Sequence, residues 1–187
     1  MYLLLKKHHR VLFYTGWLVI NIIQAYTTEL LDDEAYYWVY SRYPAWGYFD
    51  HPPMIAILIK AGYAIFPNEL GVRLFMALAN TATIFVISKL INERNDKLFY
   101  SIAASIALAH IGGMIAVPDI PLLFFVVLFF WVYSKFIEKM NFLNCLLLGI
   151  IIALMLYTKY HGILVVLFTL LSNPKLFLKY QISKLRM

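Results

Sequence analysis

The chain has 187 residues, of which 63% are hydrophobic and 14% are charged, and its formal net charge is +6. A soluble domain is about 45–50% apolar and about 25% charged. This composition therefore excludes an ordinary soluble domain and predicts an all-α membrane protein whose solvent is the bilayer. The basic residues are dispersed between apolar runs rather than gathered in one patch, so nucleic acid is not an expected partner.

The chain begins with basic residues and an apolar run, which superficially resembles a signal peptide. No small-residue cleavage site follows, and the run leads into acidic residues, so we predict a retained first transmembrane helix over 11–29. Further apolar runs, each near the roughly 20 residues that a span needs, bring the expected number of spans to about six. They lie at 70–91, 98–117, 120–137, 142–159 and 161–173, the last of which is short. His110, within the third run of the six, is predicted to be a hydrogen-bonded core residue.

Residues 30–69 are predicted to form a large loop that carries short interfacial helices. Three acidic residues, 32–34, precede AYYWVYSRY, and negative charge at a helix start is favourable by about 0.3–1 kcal/mol. The apolar segment 54–66 is too short to span a bilayer, so it predicts a helix that lies at the interface or re-enters it. This helix should begin after Pro52–Pro53 and end near Pro67.

The distribution of charge predicts the orientation of the spans. With a cytoplasmic N-terminus, most of the 16 Lys and Arg residues fall inside, as the positive-inside rule requires. These are Lys6, Lys7, Arg10, Lys89, Arg94, Lys97, Lys135, Lys139, Lys175, Lys179, Lys184 and Arg186. Most acidic residues fall outside. We therefore expect a multi-pass protein of the cytoplasmic membrane, with 174–187 as a basic cytoplasmic tail and the first loop on the extracytoplasmic side.

This topology brings three polar segments to the extracytoplasmic face: the first loop, AVPDIP with Asp119, and YTKYHG with Lys159 and His161. Asp50 and His51 precede two prolines that fix the backbone, and such a pair suits a divalent cation or a phosphate. A carboxylate at membrane depth usually faces a cavity or a partner. The structural alternatives to such a site are carboxylates that cap helices, a histidine at the membrane interface, and a lysine that extends its ammonium to the membrane surface. Together the three segments suit chemistry on a lipid-linked, phosphate-bearing substrate.

The order LDDEAYYW, GYFDHPPMIA, PDIPLLFF and YTKYHGIL resembles the bacterial branch of the dolichyl-phosphate-mannose protein mannosyltransferase family. That branch belongs to the C-type membrane glycosyltransferases and is related to the lipid A aminoarabinose transferase. The DHPP motif with an upstream acidic pair is the specific part of the resemblance. It implies an enzyme that transfers a sugar from a polyprenyl-phosphate donor to a glycan, a lipid A-like glycolipid or a protein, on the extracytoplasmic side.

The resemblance also implies which acidic residues are catalytic. The acidic pair of the family falls on Asp33 and Glu34, whose aspartate would orient or deprotonate the acceptor hydroxyl as a general base. Asp32 adjoins this pair, so the match can shift by one residue. The second acidic position of the family falls on Asp119.

A second set of residues is expected to handle the donor phosphate. Asp50 matches an acidic residue that helps to bind a divalent metal ion in the aminoarabinose transferase, and His51 matches a basic residue that contacts the carrier phosphate. We expect Arg42 and Lys159 to add positive charge on the phosphate as its bond to the sugar breaks.

Members of this family run to several hundred residues, so residues 1–187 are expected to form a single glycosyltransferase-like domain, truncated at the C-terminus. Two other hypotheses stay open. One is a non-catalytic remnant that binds a lipid carrier. The other is a small transporter, which is disfavoured because its acidic residues lie at one face rather than along a path through the membrane midplane.

Overall fold

The computed structural model describes residues 2–91 and 95–173, and within these ranges the chain forms helices and connecting turns without strands. This confirms the all-α class. The predicted tail, 174–187, and Arg94 lie outside the described residues. The helices are α1 (Tyr2–Thr27), α2 (Asp32–Arg42), α3 (Met54–Ile65), α4 (Glu69–Leu90), α5 (Asp96–Ser105), α6 (Ala107–Gly112), α7 (Asp119–Glu138), α8 (Phe142–Thr158) and α9 (Gly162–Ser172).

Helices α1 and α4 lie side by side and run in opposite directions. Near the start of α4, the Arg73 guanidinium donates to the carbonyl of Ala25 near the end of α1, at 3.1 Å. Near the other end of α4, the Ser88 hydroxyl accepts from the Tyr14 hydroxyl of α1, at 3.0 Å. Arg73 and Ser88 are separated by about 22 Å of helix, at 1.5 Å per residue.

Charged groups segregate to the two ends of this helix pair. One end, called the acidic end below, carries Asp33, Asp50 and Asp119, which all act electrostatically on one buried tyrosine. The other, called the basic end, carries Arg10 and Lys89. The sequence predicts that the acidic end faces the extracytoplasmic side.

Two helices, α4 and α7, are long and apolar enough to cross a membrane, and α3, α8 and α9 are shorter apolar helices. The predicted third span, 98–117, is divided into α5 and α6 by an extended residue, Ile106, with φ −80° and ψ 99°. Carbonyl groups at the end of a helix lack intrahelical partners. Here the imidazole Nε2 of His110 lies 2.9 Å from the carbonyl oxygen of Ala104, which confirms the predicted hydrogen bond.

The two helices predicted for the first loop are α2 and α3. Helix α3 begins directly after Pro52–Pro53 and ends two residues before Pro67, as the proline positions indicate. Its position relative to a bilayer stays a prediction. One face of α3 is buried against α2, α4 and the segment before α7, in a core cluster that lies beneath the acidic end. The cluster comprises Tyr37, Ile55, Ile59, Val72, Met76 and Ala116.

Two glycines allow α3 and α4 to meet closely. A Cβ atom added to Gly71 would overlap the carbonyl oxygen of Phe66, and one added to Gly62 would overlap the carbonyl oxygen of Gly71. Both obstacles are backbone atoms, which cannot move aside as a flexible side chain can. The close packing of α3 against α4 therefore requires glycine at both positions.

Replacing Gly71 by alanine is expected to lower the free energy of unfolding by about 1–3 kcal/mol, because the added methyl group overpacks the contact between α3 and α4. Unfolding of the purified protein in detergent measures this. Gly149→Ala on α8 is the matched control, since a Cβ there meets open space; it should leave stability unchanged or raise it by up to about 1 kcal/mol. Equal stability of Gly71→Ala and the unmodified protein would contradict the proposed close approach.

Candidate active site

Glu34 and Arg73 form a buried ion pair at the acidic end, with side chains 0% and 1% exposed. The Arg73 Nε donates to Glu34 Oε1 at 2.7 Å, and Arg73 Nη2 donates to Oε2 at 2.5 Å. This is the two-pronged geometry in which a guanidinium and a carboxylate bind most strongly.

Two backbone N–H groups complete the surroundings of the Glu34 carboxylate. The N–H of Leu31, just before α2, donates to Oε2 at 2.9 Å, and the N–H of Ala116, just before α7, donates to Oε1 at 2.7 Å. Each carboxylate oxygen thus accepts two hydrogen bonds and is closed off from solvent. This arrangement suits a positioning role, and the catalytic role expected for Glu34 stays a prediction.

The remaining donors of Arg73 hold the end of α1. Its Nη1 donates to the carbonyl and the hydroxyl of Thr28, both at 2.7 Å, and its Nη2 donates to the carbonyl of Glu29 at 2.7 Å. The pair therefore joins α1, α2, α4 and the segment before α7. Sequence reasoning missed this residue, although an arginine in the apolar segment GVRLFM indicates a buried partner.

One face of α2 presents three tyrosines to the DHPP turn, because residues three and four apart lie together on a helix. The Tyr40 hydroxyl donates to Asp50 Oδ1 at 2.8 Å, and the Tyr36 hydroxyl donates to the same oxygen at 3.3 Å and contacts the Tyr40 hydroxyl. The Tyr37 hydroxyl shares a hydrogen bond of 3.3 Å with His51 Nε2. The other ring nitrogen, Nδ1, lies 3.3 Å from Asp50 Oδ2 without hydrogen-bond geometry.

Tyr48 holds the turn in place. Its ring stacks on that of Tyr40 at a centroid distance of 4.0 Å, and its hydroxyl donates to the carbonyl of Tyr40 at 2.8 Å. Its backbone N–H donates to the carbonyl of His51 at 3.0 Å. These contacts fix Asp50 and His51 against α2.

Asp50 is held in its ionised form. Partial burial tends to raise the pKa of its carboxyl, but the hydrogen bond from Tyr40 and the charge of His51 outweigh this effect, so that the pKa lies below its ordinary value. A carboxyl with a depressed pKa stabilises the fold above the pKa of the unfolded chain, and this stabilisation is lost as the pH falls through the folded pKa.

Replacing Tyr40 by phenylalanine is expected to raise the pKa of Asp50 toward its ordinary value of about 3.9, because one donor to the carboxylate is lost. The Tyr40→Phe protein should then be less stable than the unmodified protein above the pKa of the unfolded carboxyl, and this difference should shrink toward zero as the pH falls through the folded pKa of Asp50. Unfolding temperatures at a series of pH values between about 6 and 2 measure this. Tyr43→Phe, at a residue 75% exposed, is the control and should leave the profile unchanged. Superimposable profiles for Tyr40→Phe and the control would contradict the assignment.

The charges of three carboxylates act on the hydroxyl of Tyr37. Burial and the charges of Asp50, Asp33 and Asp119, in that order, raise the pKa of this hydroxyl to about 12. Asp33 itself is exposed to solvent. The structure thus brings together the predicted residues of the first loop and the start of α7.

Asp119, the first residue of α7, is paired with Lys159 from the end of α8. Lys159 Nζ donates to the two carboxylate oxygens at 2.8 and 2.9 Å, and the side chains are 23% and 59% exposed for lysine and aspartate. Lys159 therefore lies at the acidic end. Arg42 is placed differently: its guanidinium lies 5.7 Å from the ring centroid of Trp38, and nine residues of helix put it on the face opposite Asp33.

The donor set for a metal ion at the acidic end is small. Among the described residues, no three His, Cys, Asp or Glu side chains are grouped so that they could hold an ion. Asp50 and His51 supply two donors. Mg²⁺ is often bound by one or two carboxylates together with the phosphates of its substrate, so these residues fit an ion that is shared with a phosphate.

An apolar groove of about 460 Å³ runs between α4, α6 and α7 and reaches Asp119. Residues at its Asp119 end include Val117, Ile120 and Leu123. The groove gives the acidic end an adjoining surface suited to a hydrocarbon chain.

Residues 50–185 match the sequence model of the dolichyl-phosphate-mannose-protein mannosyltransferases. The matched stretch includes Asp50, His51, Asp119 and Lys159 and begins after Asp33. No curated protein and no solved structure matches the chain. Because the matched stretch covers well over half of its residues, the chain belongs to the dolichyl-phosphate-mannose-protein mannosyltransferase family.

Proposed function

We propose that this protein transfers a sugar from a polyprenyl-phosphate donor to an acceptor at the extracytoplasmic face of the cytoplasmic membrane. Membership of the family implies glycosyltransferase activity on a membrane-associated substrate. The observation that supports the finer proposal is that the charges of Asp33, Asp50 and Asp119 all act on the Tyr37 hydroxyl, with Lys159 paired to Asp119 at the end of an apolar groove.

In the proposed reaction the acceptor hydroxyl attacks the anomeric carbon of the donor. The bond between that carbon and the phosphate oxygen breaks, and its electron pair leaves with the lipid phosphate. Asp33 takes the proton of the hydroxyl as the general base, a role that suits a carboxylate exposed to the acceptor. Asp119 acts as the second acidic residue and orients the acceptor. Glu34 positions Asp33 by fixing the start of α2.

Positive charge on the phosphate stabilises the leaving group, so no strong acid is needed to expel it. His51 and Lys159 are the cationic residues proposed for this contact, and Lys159 exchanges part of its pairing with Asp119 for the phosphate. Arg42 was expected to help, but its position on the opposite face of α2 supports it less well. A divalent ion held by Asp50 would neutralise further phosphate charge.

The apolar groove beside Asp119 supports the lipid part of the donor. A prenyl chain has no polar group beyond its phosphate, so an apolar groove that reaches Asp119 suits it. The prenyl chain of the donor would thus bind in the groove, and its phosphate would bind at the adjoining acidic end. The acceptor class proposed is a glycan, a glycolipid or a protein that reaches the acidic end from outside.

The proposal is tested with the purified protein, a polyprenyl-phosphate sugar labelled in the sugar, and membrane acceptors. Transfer of label to the acceptor, with release of the lipid phosphate, is the expected result. Saturable binding of the donor without release supports instead a lipid-carrier-binding protein without turnover. Absence of binding and of transfer contradicts the polyprenyl-phosphate specificity.

A further inference from the structure

A second recess lies at the basic end, far from the carboxylates of the candidate active site. It has a volume of about 220 Å³ and lies between α1, α4 and the start of α5. Arg10 and Lys89 stand at this recess, together with the hydroxyls of Tyr14 and Ser88. The two hydroxyls donate within the fold, from Tyr14 to Ser88 and from Ser88 to the carbonyl of Phe85, so the two cations are the groups available to bind a phosphate.

Arg10 is held in place by Asp96, the first residue of α5. Its Nε and Nη2 donate to the carboxylate at 2.9 and 3.2 Å, and His9 Nε2 lies 2.6 Å from the same carboxylate. These bonds use two of the five N–H groups of Arg10, and its side chain is 59% exposed. The guanidinium is thus fixed by one carboxylate and retains donors for a second anion.

Lys89 supplies the other charge. Its ammonium lies 5.3 Å from the ring centroid of Phe85, and the side chain is exposed. Among the residues that the structure describes, no carboxylate lies within ion-pair distance of this ammonium. The ammonium of Lys89 thus lies at a recess in which Asp96 is the carboxylate among the described lining residues.

An apolar groove of about 310 Å³ lies beside the polar recess, between α4, α5 and α6, and Phe99 lines both. The groove is lined by isoleucine, leucine, alanine and phenylalanine side chains alone, among them Ile87, Leu98 and Ile102. A basic recess beside a hydrocarbon-lined groove has the shape and polarity of a phospholipid.

We propose that the basic end binds one anionic phospholipid, with its phosphate between Arg10 and Lys89 and an acyl chain in the adjoining groove. Basic pockets between membrane helices on the cytoplasmic side bind anionic headgroups, and each Lys or Arg near the surface adds about 1 kcal/mol of attraction. Ile106, at the break between α5 and α6, lines the groove together with Ala109. The phosphate recess shares no residue with the groove beside Asp119, whereas the acyl groove shares Ile84, Ile87, Ile106 and Ala109 with it.

The test is native mass spectrometry of the complete chain in detergent, titrated with phosphatidylglycerol or phosphatidylcholine of equal chain length. One phosphatidylglycerol per chain should be retained in preference to phosphatidylcholine. Lys89→Gln should weaken that binding roughly fivefold, the equivalent of the single charge removed, and Lys89→Arg should restore it. Lys60→Gln, an equal change of charge at an exposed residue of α3, should have no effect.

Two further measurements distinguish the contribution of the acyl chain to binding from that of the headgroup. Long-chain phosphatidylglycerol should bind more tightly than a short-chain form, and glycerol phosphate should fail to displace it. Equal retention of the two headgroups, or equal binding by Lys89→Gln and the unmodified protein, overturns the proposal. Displacement by glycerol phosphate or indifference to chain length also overturns it, because a free phosphate would then be the ligand.

Discussion

Replacing Arg73 by methionine is expected to lower the free energy of unfolding by about 3–5 kcal/mol. Methionine fills much of the same space, but it leaves the Glu34 carboxylate charged, fully buried and deprived of two of its four hydrogen bonds. It also removes the donors that hold the carbonyls of Ala25, Thr28 and Glu29. Chemical or thermal unfolding of the purified protein in a mild detergent measures the effect.

Arg42→Met is the matched control for this substitution. It removes the same guanidinium from an exposed position on α2 and should change stability by no more than about 0.5 kcal/mol. The double variant Glu34→Gln/Arg73→Met should be less destabilised than Arg73→Met alone, because no buried charge is left without a partner. If Arg73→Met unfolds at the same temperature or denaturant concentration as the control, the ion pair has no structural role.

Replacing Asp33 by asparagine is expected to reduce sugar transfer by about 10²–10⁴-fold, the usual contribution of a positioned general base. Asparagine preserves the size of the side chain but cannot accept the proton of the acceptor hydroxyl. Because Asp33 is exposed and outside the core, the unfolding temperature should stay the same. Initial rates with a labelled polyprenyl-phosphate sugar, on protein matched for folded content, measure the change in rate.

Two comparisons make this result specific. Asp32→Asn alters the neighbouring exposed carboxylate, about 100° away around the helix, and should retain most of the activity. Glu34→Gln should lower activity and stability together, since Glu34 accepts four hydrogen bonds within the fold. Turnover by Asp33→Asn at the rate of the unmodified protein would eliminate Asp33 as the base and direct attention to Asp119.

Local signals were enough to predict much of the helical framework. The acidic residues in the first turn of α2, the prolines on both sides of α3, and the long apolar runs of α4 and α7 each indicate an element that the structure contains. Local signals did not predict the break that divides the third predicted span into α5 and α6. The extended residue at the break, Ile106, lies inside an apolar run without an adjacent glycine or proline, so its conformation depends on tertiary packing.

In the candidate site, too, local features were predictable from the sequence and contacts between distant residues were not. Asp50 and His51 are adjacent in sequence, and their placement on a fixed turn was predictable from the two prolines. Asp33 and Glu34 are also adjacent, but their environments differ because Glu34 pairs with an arginine 39 residues away. A single sequence does not reveal which of two neighbouring carboxylates faces such a distant partner. Nothing in the local sequence indicates that the hydroxyls of Tyr36 and Tyr40 donate to Asp50.

The hydrogen bonds of Glu34 also limit how the site moves. Leu31, two residues before Asp33, and Ala116, three residues before Asp119, donate to opposite oxygens of one carboxylate. The distance between the two catalytic candidates is therefore set largely by the width of a single carboxylate group. Substrates that require a wider spacing have to be accommodated by the exposed side chains themselves, because separating the two backbones would first uncover a buried charge. Selectivity among acceptors would then lie in side-chain rotamers rather than in hinge motion of the helices.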